Sequence, residues 1–191
     1  MKNKEKINNE KRNEKIDLDI KEEIMSWIKA GVVTLIFYLF VNIFVFTARV
    51  DGPSMLPTFE HGDLILVNRI AYTLNETSLP EYEDIVIFTN KSRGYELIKR
   101  VIGLPGDHIE IKDGEVYRNG TLLSEVYLDE SIHPNGTEGN IDEIVKEGHI
   151  FVMGDNRANS ADSRYEEIGQ INMSDVKGKV FLRMIPNFKT F

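Results

Sequence analysis

The hydrophobic pattern divides the chain into a charged segment, an apolar run and a long stretch of short alternating segments. Residues 1–23 are mostly Lys, Glu, Asn and Asp with a few isoleucines, a composition too polar to bury much surface. Residues 30–48 (AGVVTLIFYLFVNIFVFTA) hold 19 positions without a charge, which at the rise of a helix is enough to cross a hydrocarbon core of about 30 Å. The pattern therefore predicts a polar tail over residues 1–29 and a transmembrane anchor over residues 30–48.

Two other interpretations of the apolar run fit less well. A cleaved signal peptide has a shorter apolar region and a small-x-small cleavage pattern, which residues 46–48 lack. A buried core helix is rarely apolar on every face. Eight Lys and Arg precede the run, whereas Arg49 is the only one in the nineteen residues that follow it. The positive-inside rule therefore predicts a single-pass protein with a cytosolic N-terminus and an extracytoplasmic domain over residues 49–191.

Beyond the anchor and a short turn, apolar positions recur with a period of two, which predicts β-strands. The predicted strands are short runs bounded by Gly, Asp, Pro or Asn, and they cover residues 63–67, 84–88, 96–102, 108–112, 115–118, 121–123, 149–153 and 176–184. Asp113-Gly114 and Asn119-Gly120 are typical two-residue hairpin turns. Residues 124–148 are acidic and contain Pro134-Asn135-Gly136, so we expect a less regular excursion there. The predicted fold class is mainly β, with an antiparallel domain behind the anchor.

Composition and charge exclude several kinds of function. The chain has no cysteine, which excludes disulfides, a thiolate nucleophile and thiolate metal sites. Residues 49–191 carry 15 Lys and Arg against 24 Asp and Glu, with no basic stripe, so we expect no nucleic-acid partner. The histidines, His61, His108, His133 and His149, lie singly and lack the spacing of a metal pair. A Ser-His-Asp triad needs no proximity in sequence, and it stays open at this point.

Two segments carry candidate chemistry. Residues 52–58 (GPSMLPT) place one glycine and two prolines around Ser54, which predicts a rigid non-helical turn that holds a small hydroxyl. Lys99 lies beside Arg100 in the predicted strand 96–102, so one of two adjacent cations must share a face with buried neighbours. An edge strand whose cations reach water is the ordinary interpretation. The alternative is a desolvated Lys99 whose lowered pKa lets a neutral amine deprotonate Ser54.

Four segments in order resemble the successive boxes of bacterial type I signal peptidases, namely residues 52–58, 84–88, 99–107 and 154–164. The resemblance spans residue 30 to the C-terminus, and the single short anchor is similar to the Gram-positive branch of that family. It implies a membrane-bound serine endopeptidase with a mostly β catalytic domain. Such an enzyme removes signal peptides from exported pre-proteins at the outer face of the cell membrane and cuts after an Ala-x-Ala pattern. Pre-proteins and the lipid bilayer are thus the expected partners, and we expect neither a metal nor a cofactor.

The resemblance also implies roles for individual residues. Ser54 matches the nucleophile and Lys99 the general base of a Ser-Lys dyad. Ser160 matches the serine that hydrogen-bonds the lysine amine and orients it. Asp162 and Arg164 match residues that support the site, and we expect them to form an ion pair.

Asp155 and Arg157 match structural members of the same segment. One position departs from part of the family, because some relatives carry a hydroxyl residue two positions before the nucleophile and this chain has Gly52. The oxyanion hole is then expected to use backbone donors, notably the Ser54 N–H.

Without the resemblance, residues 154–164 also fit a solvated polar loop, since Asp, Asn, Ser and Gly are ordinary turn formers. They lack the spacing of an EF-hand calcium loop.

Proximity in sequence to Ser54 and Lys99 suggests which side chains form the substrate pocket. The resemblance implies shallow pockets for small side chains one and three residues before the cut. Candidates to wall them are Val50, Met55, Phe59, Leu97 and Ile98. The same five side chains fit an ordinary hydrophobic core equally well.

Three other functions compete with a signal peptidase. A membrane-anchored β module that binds without chemistry explains the anchor, the charge and the strands, but leaves Ser54, Lys99 and Ser160 unexplained. A penicillin-binding-type acyltransferase is suggested by residues 26–29 (SWIK), although that match lies at the cytosolic edge of the apolar run and lacks the S-D-N and K-T-G elements. A self-cleaving Ser-Lys regulator would ordinarily bring a DNA-binding segment and no anchor, and neither expectation is met.

Overall fold

A computed structural model describes residues 2–72, 79–91, 94–132 and 136–191, with side chains from residue 20 onward. The chain forms two compact units, Met1–Ile43 and Phe44–Phe191. His133 and the Pro134-Asn135 part of the predicted turn lie outside the described residues.

The first unit is a single helix, α1 (Lys2–Phe44), which also includes the residues predicted as a polar tail. Its part from Ile20 to Phe44 is 25 residues long and contains an 18-residue window that has a mean hydropathy of 1.9 and is not buried within the protein. This length and composition suit a membrane anchor. The predicted end of the anchor at residue 48 is wrong, because residues 45–48 lie in a β-strand. The boundary was missed because the first residues of the strand are apolar like those of the helix before it, so the uncharged run continues past the end of the helix.

The second unit consists of short antiparallel strands. They are β1 (Val45–Arg49), β2 (Leu64–Asn68), β3 (Ile85–Asn90), β4 (Tyr95–Gly103), β5 (His108–Lys112), β6 (Glu115–Arg118), β7 (Thr121–Leu122), β8 (Ile141–Ile144), β9 (His149–Met153), β10 (Ile171–Asn172), β11 (Val176–Ile185) and β12 (Lys189–Thr190). Single 3₁₀ turns occupy Glu130–Ile132, Arg157–Asn159 and Met173–Asp175. The predicted mainly β, antiparallel domain is confirmed.

The strands form two sheets. The larger has the order β1-β2-β11-β3-β4-β9-β10, with β12 paired to β11, and the smaller has the order β7-β6-β5-β8. Both predicted hairpins are present, since β5 pairs with β6 and β6 with β7. Asp113 and Gly114 both have positive φ, as do Asn119 and Gly120, which is the backbone that a two-residue hairpin turn requires.

The prediction of an irregular excursion over residues 124–148 is wrong for part of that segment. Residues Ile141–Ile144 form β8 and pair with β5, from Ile111↔Ile141 to His108↔Ile144. This strand has only two apolar positions, separated by two acidic residues, so its periodicity is too short to indicate a strand. The pairing partner rather than the local sequence makes it a strand.

Three hydrophobic clusters form the core, and β4 takes part in each of them. Ile98 packs against the first cluster, which includes Val50, Met55 and Phe59. Ile102 belongs to the second cluster and Val101 to the third. A strand held by three separate clusters has little freedom to shift, so the residues between Ile98 and Val101 occupy fixed positions.

Replacing Gly178 by Ala should destabilise the second unit. A Cβ at Gly178 would lie 2.2 Å from the backbone oxygen of Asn68 and 2.9 Å from a methyl of Val67, where β11 crosses β2. Because a backbone atom cannot move aside like a flexible side chain, we expect a loss of about 1 to 3 kcal/mol in the free energy of unfolding. Urea unfolding of the detergent-purified chain measures it. Lys177→Ala, at the exposed neighbouring position, should stay within about 0.5 kcal/mol of wild type; equal stability of the two variants would contradict the prediction.

Candidate active site

Ser54 lies in a tight turn between β1 and β2. Hydrogen bonds from the Val50 N–H to the Asp63 oxygen, 2.9 Å, and from the Gly62 N–H to the Val50 oxygen, 2.8 Å, close its base. Gly52 has a φ of 88°, a conformation that favours glycine. The predicted rigid non-helical turn is thus present, and it holds the Ser54 side chain on a closed loop.

The segment after β9 fastens this turn from the other side. The Asn156 N–H donates to the Ser54 carbonyl at 3.0 Å, and the Asn156 side-chain amide donates to the Pro53 carbonyl at 3.2 Å. The turn therefore has hydrogen-bond partners from a segment about one hundred residues away in sequence. Sequence reasoning did not single out Asn156, since an Asn among other turn formers carries no specific signal.

Lys99 meets Ser54. The Lys99 Nζ donates to the Ser54 Oγ at 2.8 Å and to the Ile98 carbonyl at 2.8 Å, although 45 positions separate the two residues in sequence. Lys99 is only 1% exposed, although β9 pairs with β4 only from Arg100 onward. The interpretation in which this cation reaches water is therefore wrong, and the Lys99 side chain is desolvated.

Burial changes the acidity of the Lys99 amine. Removing the ammonium from water penalises its charged form and lowers the pKa of Lys99 to about 8. The negative charges of Asp162 and Asp155 act in the opposite direction, and the positive charge of Arg164 acts with burial. About half of the Lys99 side chains are then neutral near pH 8, so the lysine can accept a proton under mild conditions.

Two buried aspartates near the lysine are each neutralised by an arginine. Arg164 donates from Nε to Asp162 Oδ1 at 2.8 Å and from Nη2 to Asp162 Oδ2 at 3.0 Å. This is the ion pair expected from the sequence. Asp155 pairs in the same two-pronged way with Arg100, at 2.8 Å from Nε and 2.6 Å from Nη2. Such geometry is the strong form of an arginine–carboxylate contact.

Sequence reasoning missed the partners of Asp155 and Arg157. Arg100 drew notice only as the neighbour of Lys99, and the Thr58 hydroxyl, which donates to Asp155 at 2.5 Å, drew none. Arg157 is 1% exposed and donates from Nη1 to Glu125 at 2.8 Å. Glu125 lies in the acidic excursion, where nothing local distinguishes it from its acidic neighbours. Both pairs tie the segment after β9 to distant parts of the unit.

The hydrogen bond predicted between Ser160 and Lys99 is not formed in this structure. The Ser160 hydroxyl is buried and has no hydrogen-bond partner among the described residues, because the amine contacts the Ser54 hydroxyl and the Ile98 carbonyl instead. Ser160 does lie close to the Ser54 turn. A Cβ placed on Gly154 would be 2.2 Å from the Ser160 Oγ and 2.5 Å from the Ser54 carbonyl oxygen, so Gly154 is the residue that lets the two serines approach.

A cavity of about 110 Å³ adjoins Ser54 and Lys99, and we name it the catalytic cavity. Its remaining lining residues are Ala48, Arg49, Val50, Asp51, Ile65, Ile87, Glu96, Leu97 and Ile98. Of the five side chains suggested to wall a substrate pocket, Val50, Leu97 and Ile98 line this cavity. The prediction for Met55 and Phe59 is wrong, because both are fully buried in the first hydrophobic cluster and do not line the cavity.

The described histidines take no part in this arrangement. His61 Nδ1 lies 3.1 Å from Asp51 and accepts from the Gly52 N–H at 3.3 Å, and His108 pairs with Asp142 at 2.6 Å. His149 contacts the Glu147 carbonyl at 2.9 Å. In the part of the chain that the structure describes, no group of three or more His, Asp or Glu is arranged to hold a metal ion. Among the described residues, the titratable side chain in hydrogen-bond contact with the Ser54 hydroxyl is thus Lys99 rather than a histidine.

The sequence of the chain is similar to that of known proteins. The family model described as signal peptidase, peptidase S26, matches residues 24–185. A signal peptidase I of Bacillus caldolyticus is 37% identical over 84% of this chain and 87% of its own length. Signal peptidase IB of Staphylococcus aureus is 33% identical over 87% of this chain and 92% of its own. A crystal structure of a signal peptidase I from Enterococcus faecalis is 36% identical, covers 53% of this chain and 96% of its own, and has a TM-score of 0.45.

Replacing Lys99 by Met should stabilise the protein in a pH-dependent way. A Lys99 pKa of about 8 in place of the ordinary 10.5 lowers the free energy of unfolding of the wild type by about 3 kcal/mol below pH 8, where Lys99 is protonated in both the native and the unfolded state. The native state loses its proton first as the pH rises, so the cost disappears between about pH 8 and pH 10.5. Lys99→Met should thus exceed wild type in stability at pH 7, and the two should converge near pH 10.5.

Urea unfolding of the detergent-purified chains at a series of pH values measures this difference. Lys146→Met is the matched control, because Lys146 is exposed and forms no ion pair with a described residue. Its difference from wild type should not change with pH over the same range. A constant offset for Lys99→Met, parallel to that of the control, would show that the Lys99 pKa is unshifted.

Proposed function

The chain belongs to the S26 family of signal peptidases, and we propose that Ser54 and Lys99 are the dyad with which it cleaves signal peptides from exported pre-proteins. The observation that carries this proposal is the 2.8 Å contact between the buried Lys99 amine and the Ser54 hydroxyl. A non-catalytic binding module offers no reason to bury a lysine against a serine at a cavity, because burying an ammonium costs stability.

In the proposed reaction, the neutral amine of Lys99 takes the proton of Ser54 as the Ser54 Oγ attacks the scissile carbonyl. The protonated Lys99 then gives this proton to the leaving amine, and the acyl group stays on Ser54. Lys99 next takes a proton from a water molecule as that water attacks the ester carbonyl. The bond between the acyl group and the Ser54 Oγ then breaks, Lys99 returns the proton to the Ser54 Oγ, and the signal peptide leaves as a carboxylic acid. Gly52 carries no hydroxyl, so the backbone N–H of Ser54 is the proposed oxyanion donor.

The ion pairs around the dyad support this role for Lys99. An unpaired carboxylate beside a buried amine stabilises the ammonium and keeps it protonated. Asp155 and Asp162 both act on Lys99 in that direction, but Arg100 and Arg164 hold them in two-pronged contacts. The net effect of the surroundings is the lowered pKa that a general base needs near neutral pH.

Two open strand edges support binding of an extended substrate. β1 is the terminal strand of the larger sheet, and β9 pairs with β4 only from Arg100 onward, so Tyr95–Lys99 have β3 alone as a described partner. The catalytic cavity lies between these two edges. An extended peptide can form backbone hydrogen bonds there, and the small volume of the cavity suits the Ala-x-Ala side chains implied by the family.

The proposed orientation follows from charge. The membrane-length helix anchors the protein, and the eight Lys and Arg before residue 30 favour a cytosolic N-terminus. The second unit, with Ser54, then lies outside the cell membrane, where signal peptides emerge.

Ser54→Ala and Lys99→Ala should each abolish cleavage of a synthetic pre-protein at its Ala-x-Ala bond, because each removes one half of the proton transfer. For the wild type, kcat/KM should rise with pH and level off above a pKa of about 8, since only the neutral Lys99 is active. Gel-based cleavage assays with detergent-purified chains measure both effects.

Circular dichroism of each variant verifies that it is folded, and Lys146→Ala is the control for loss of an exposed lysine. The dyad is refuted if a folded Ser54→Ala or Lys99→Ala chain cleaves at the wild-type rate. An activity that is flat from pH 6 to pH 10 would separately refute the role of Lys99 as base.

Ser160→Ala tests whether the orphan hydroxyl assists Lys99 during the reaction. The variant loses no hydrogen bond that the structure contains, so its stability should equal or slightly exceed that of wild type. If Ser160 orients the amine while Lys99 carries a proton, kcat should fall about tenfold to a hundredfold with little change in KM. A normal kcat would show that Ser160 only fills space beside Gly154. Ser163→Ala is the control for loss of a buried serine hydroxyl, since the Ser163 hydroxyl accepts from the Val152 N–H.

A further inference from the structure

The catalytic cavity continues into a second one that is lined by charge. The second cavity has a volume of about 410 Å³ and shares Ala48, Arg49 and Glu96 with the catalytic cavity. Its other lining residues are Phe46, Thr47, Arg69 and Lys177. We name it the basic cavity. Both cavities lie along β1 and share three lining residues, so we treat them as neighbouring parts of one groove that begins at Ser54 and runs toward the start of that strand.

Three of the four charged residues of the basic cavity are cations. Arg49, Arg69 and Lys177 face a single carboxylate, Glu96, and all four are exposed. Within the described residues none of the four forms an ion pair. This local excess of positive charge stands out in a segment, residues 49–191, with nine more acidic than basic residues (24 − 15). The groove thus attracts a negative group that the protein itself does not supply.

The fold holds these cations in place. β2 and β11 pair with Lys179 opposite Asn68, which brings Arg69, the residue after β2, to the same end of the sheet as Lys177. The Arg69 guanidinium lies 4.4 Å from the centre of the Phe46 ring, a cation–π contact. The Arg49 Nη1 donates to the Gly62 carbonyl at 3.2 Å. Two of the three cations therefore have defined contacts rather than free side chains.

The distance along β1 indicates which part of a substrate reaches the basic cavity. With small side chains one and three residues before the cut in the catalytic cavity, the upstream substrate continues along β1 from Val50 toward Phe46. Each extended residue advances about 3.3 Å, so substrate residues about four to six positions before the cut lie at the basic cavity. In a signal peptide this is the short segment between the apolar region and the small-residue cleavage site.

We propose that the basic cavity is a subsite for a negatively charged side chain, and that it binds an Asp or Glu about four to six residues before the scissile bond. It gives this enzyme a preference for negative over positive charge at that place in the pre-protein. The proposal rests on the proposed function, since it needs a substrate in the catalytic cavity. A phosphate of the lipid headgroups has matching charge, but the walls shared with the catalytic cavity favour the substrate as the occupant.

The test compares three synthetic pre-proteins that differ at one position, five residues before the cut, where they carry Asp, Asn or Lys. With the full chain in a neutral detergent at low salt, kcat/KM should fall in the order Asp, Asn, Lys. Exposed charge pairs are weak, so we expect about a threefold to tenfold difference between Asp and Lys. The difference should shrink at about 0.5 M salt, where the Debye length is only a few ångströms and charges farther apart are screened from each other.

Arg69→Glu and Lys177→Glu should each reduce this preference, and the double variant should reverse it. Lys146→Glu makes the same change of charge at an exposed lysine that does not line the cavity, so it should keep the wild-type order. The proposal is overturned if wild type cleaves all three substrates equally, or if the double variant keeps the order Asp, Asn, Lys. Moving the charged residue to four or six positions before the cut then locates the contact.

Two further outcomes separate this proposal from its alternatives. Failure of wild type to cleave even the Asn substrate would refute the proposed function rather than the subsite. In vesicles of phosphatidylcholine with or without phosphatidylglycerol, an equal loss for all three substrates in the double variant, seen only with the anionic lipid, would assign the basic cavity to lipid headgroups and overturn the substrate proposal.

Discussion

The cost of keeping Lys99 out of water is the constraint on which the rest of the site depends. An ammonium at that position is unfavourable, and this is why the amine gives up its proton near pH 8. The structure bears this cost because β4 is held by three hydrophobic clusters, pairs with β3 along most of its length and pairs with β9 from Arg100 onward. A less firmly held strand would let the lysine reach solvent, where its pKa would return to the ordinary value.

The two arginine–aspartate pairs are a consequence of the same constraint. Asp155 helps to fasten the Ser54 turn to the segment after β9 by accepting from the Thr58 hydroxyl, whereas Asp162 accepts from the Gly154 N–H within that segment. Each carboxylate also favours the charged lysine, so each is matched by a guanidinium: Asp155 by Arg100 and Asp162 by Arg164. Buried pairs of this kind contribute little net stability, and their value here lies in fixing geometry without adding net negative charge beside the amine.

Most of the fold could be predicted from the sequence because its strands alternate clearly and its hairpin turns have specific residues. β8 and the end of the anchor could not, since a four-residue strand has no clear period and an apolar strand has the composition of a helix end. Ser54 and Lys99 drew notice because a serine between prolines and a lysine among aliphatic residues are locally unusual, but the roles expected of them came from the resemblance to signal peptidases. Glu125 and Asn156 were missed because their roles exist only through contacts with distant residues. Ala48 and Arg49 were not predicted to line the cavity because the anchor was expected to extend to residue 48.

The direct passage from α1 into β1 limits the distance between the end of the helix and Ser54. Ser54 lies ten positions beyond Phe44, the end of the helix (54 − 44), and a chain of that length spans at most about 35 Å. If α1 crosses the membrane as proposed, the Ser54 hydroxyl thus stays within that distance of the end of the anchor. A substrate held in the same bilayer would then meet the enzyme by a search in two dimensions at a high effective concentration, for which a groove of modest affinity is sufficient.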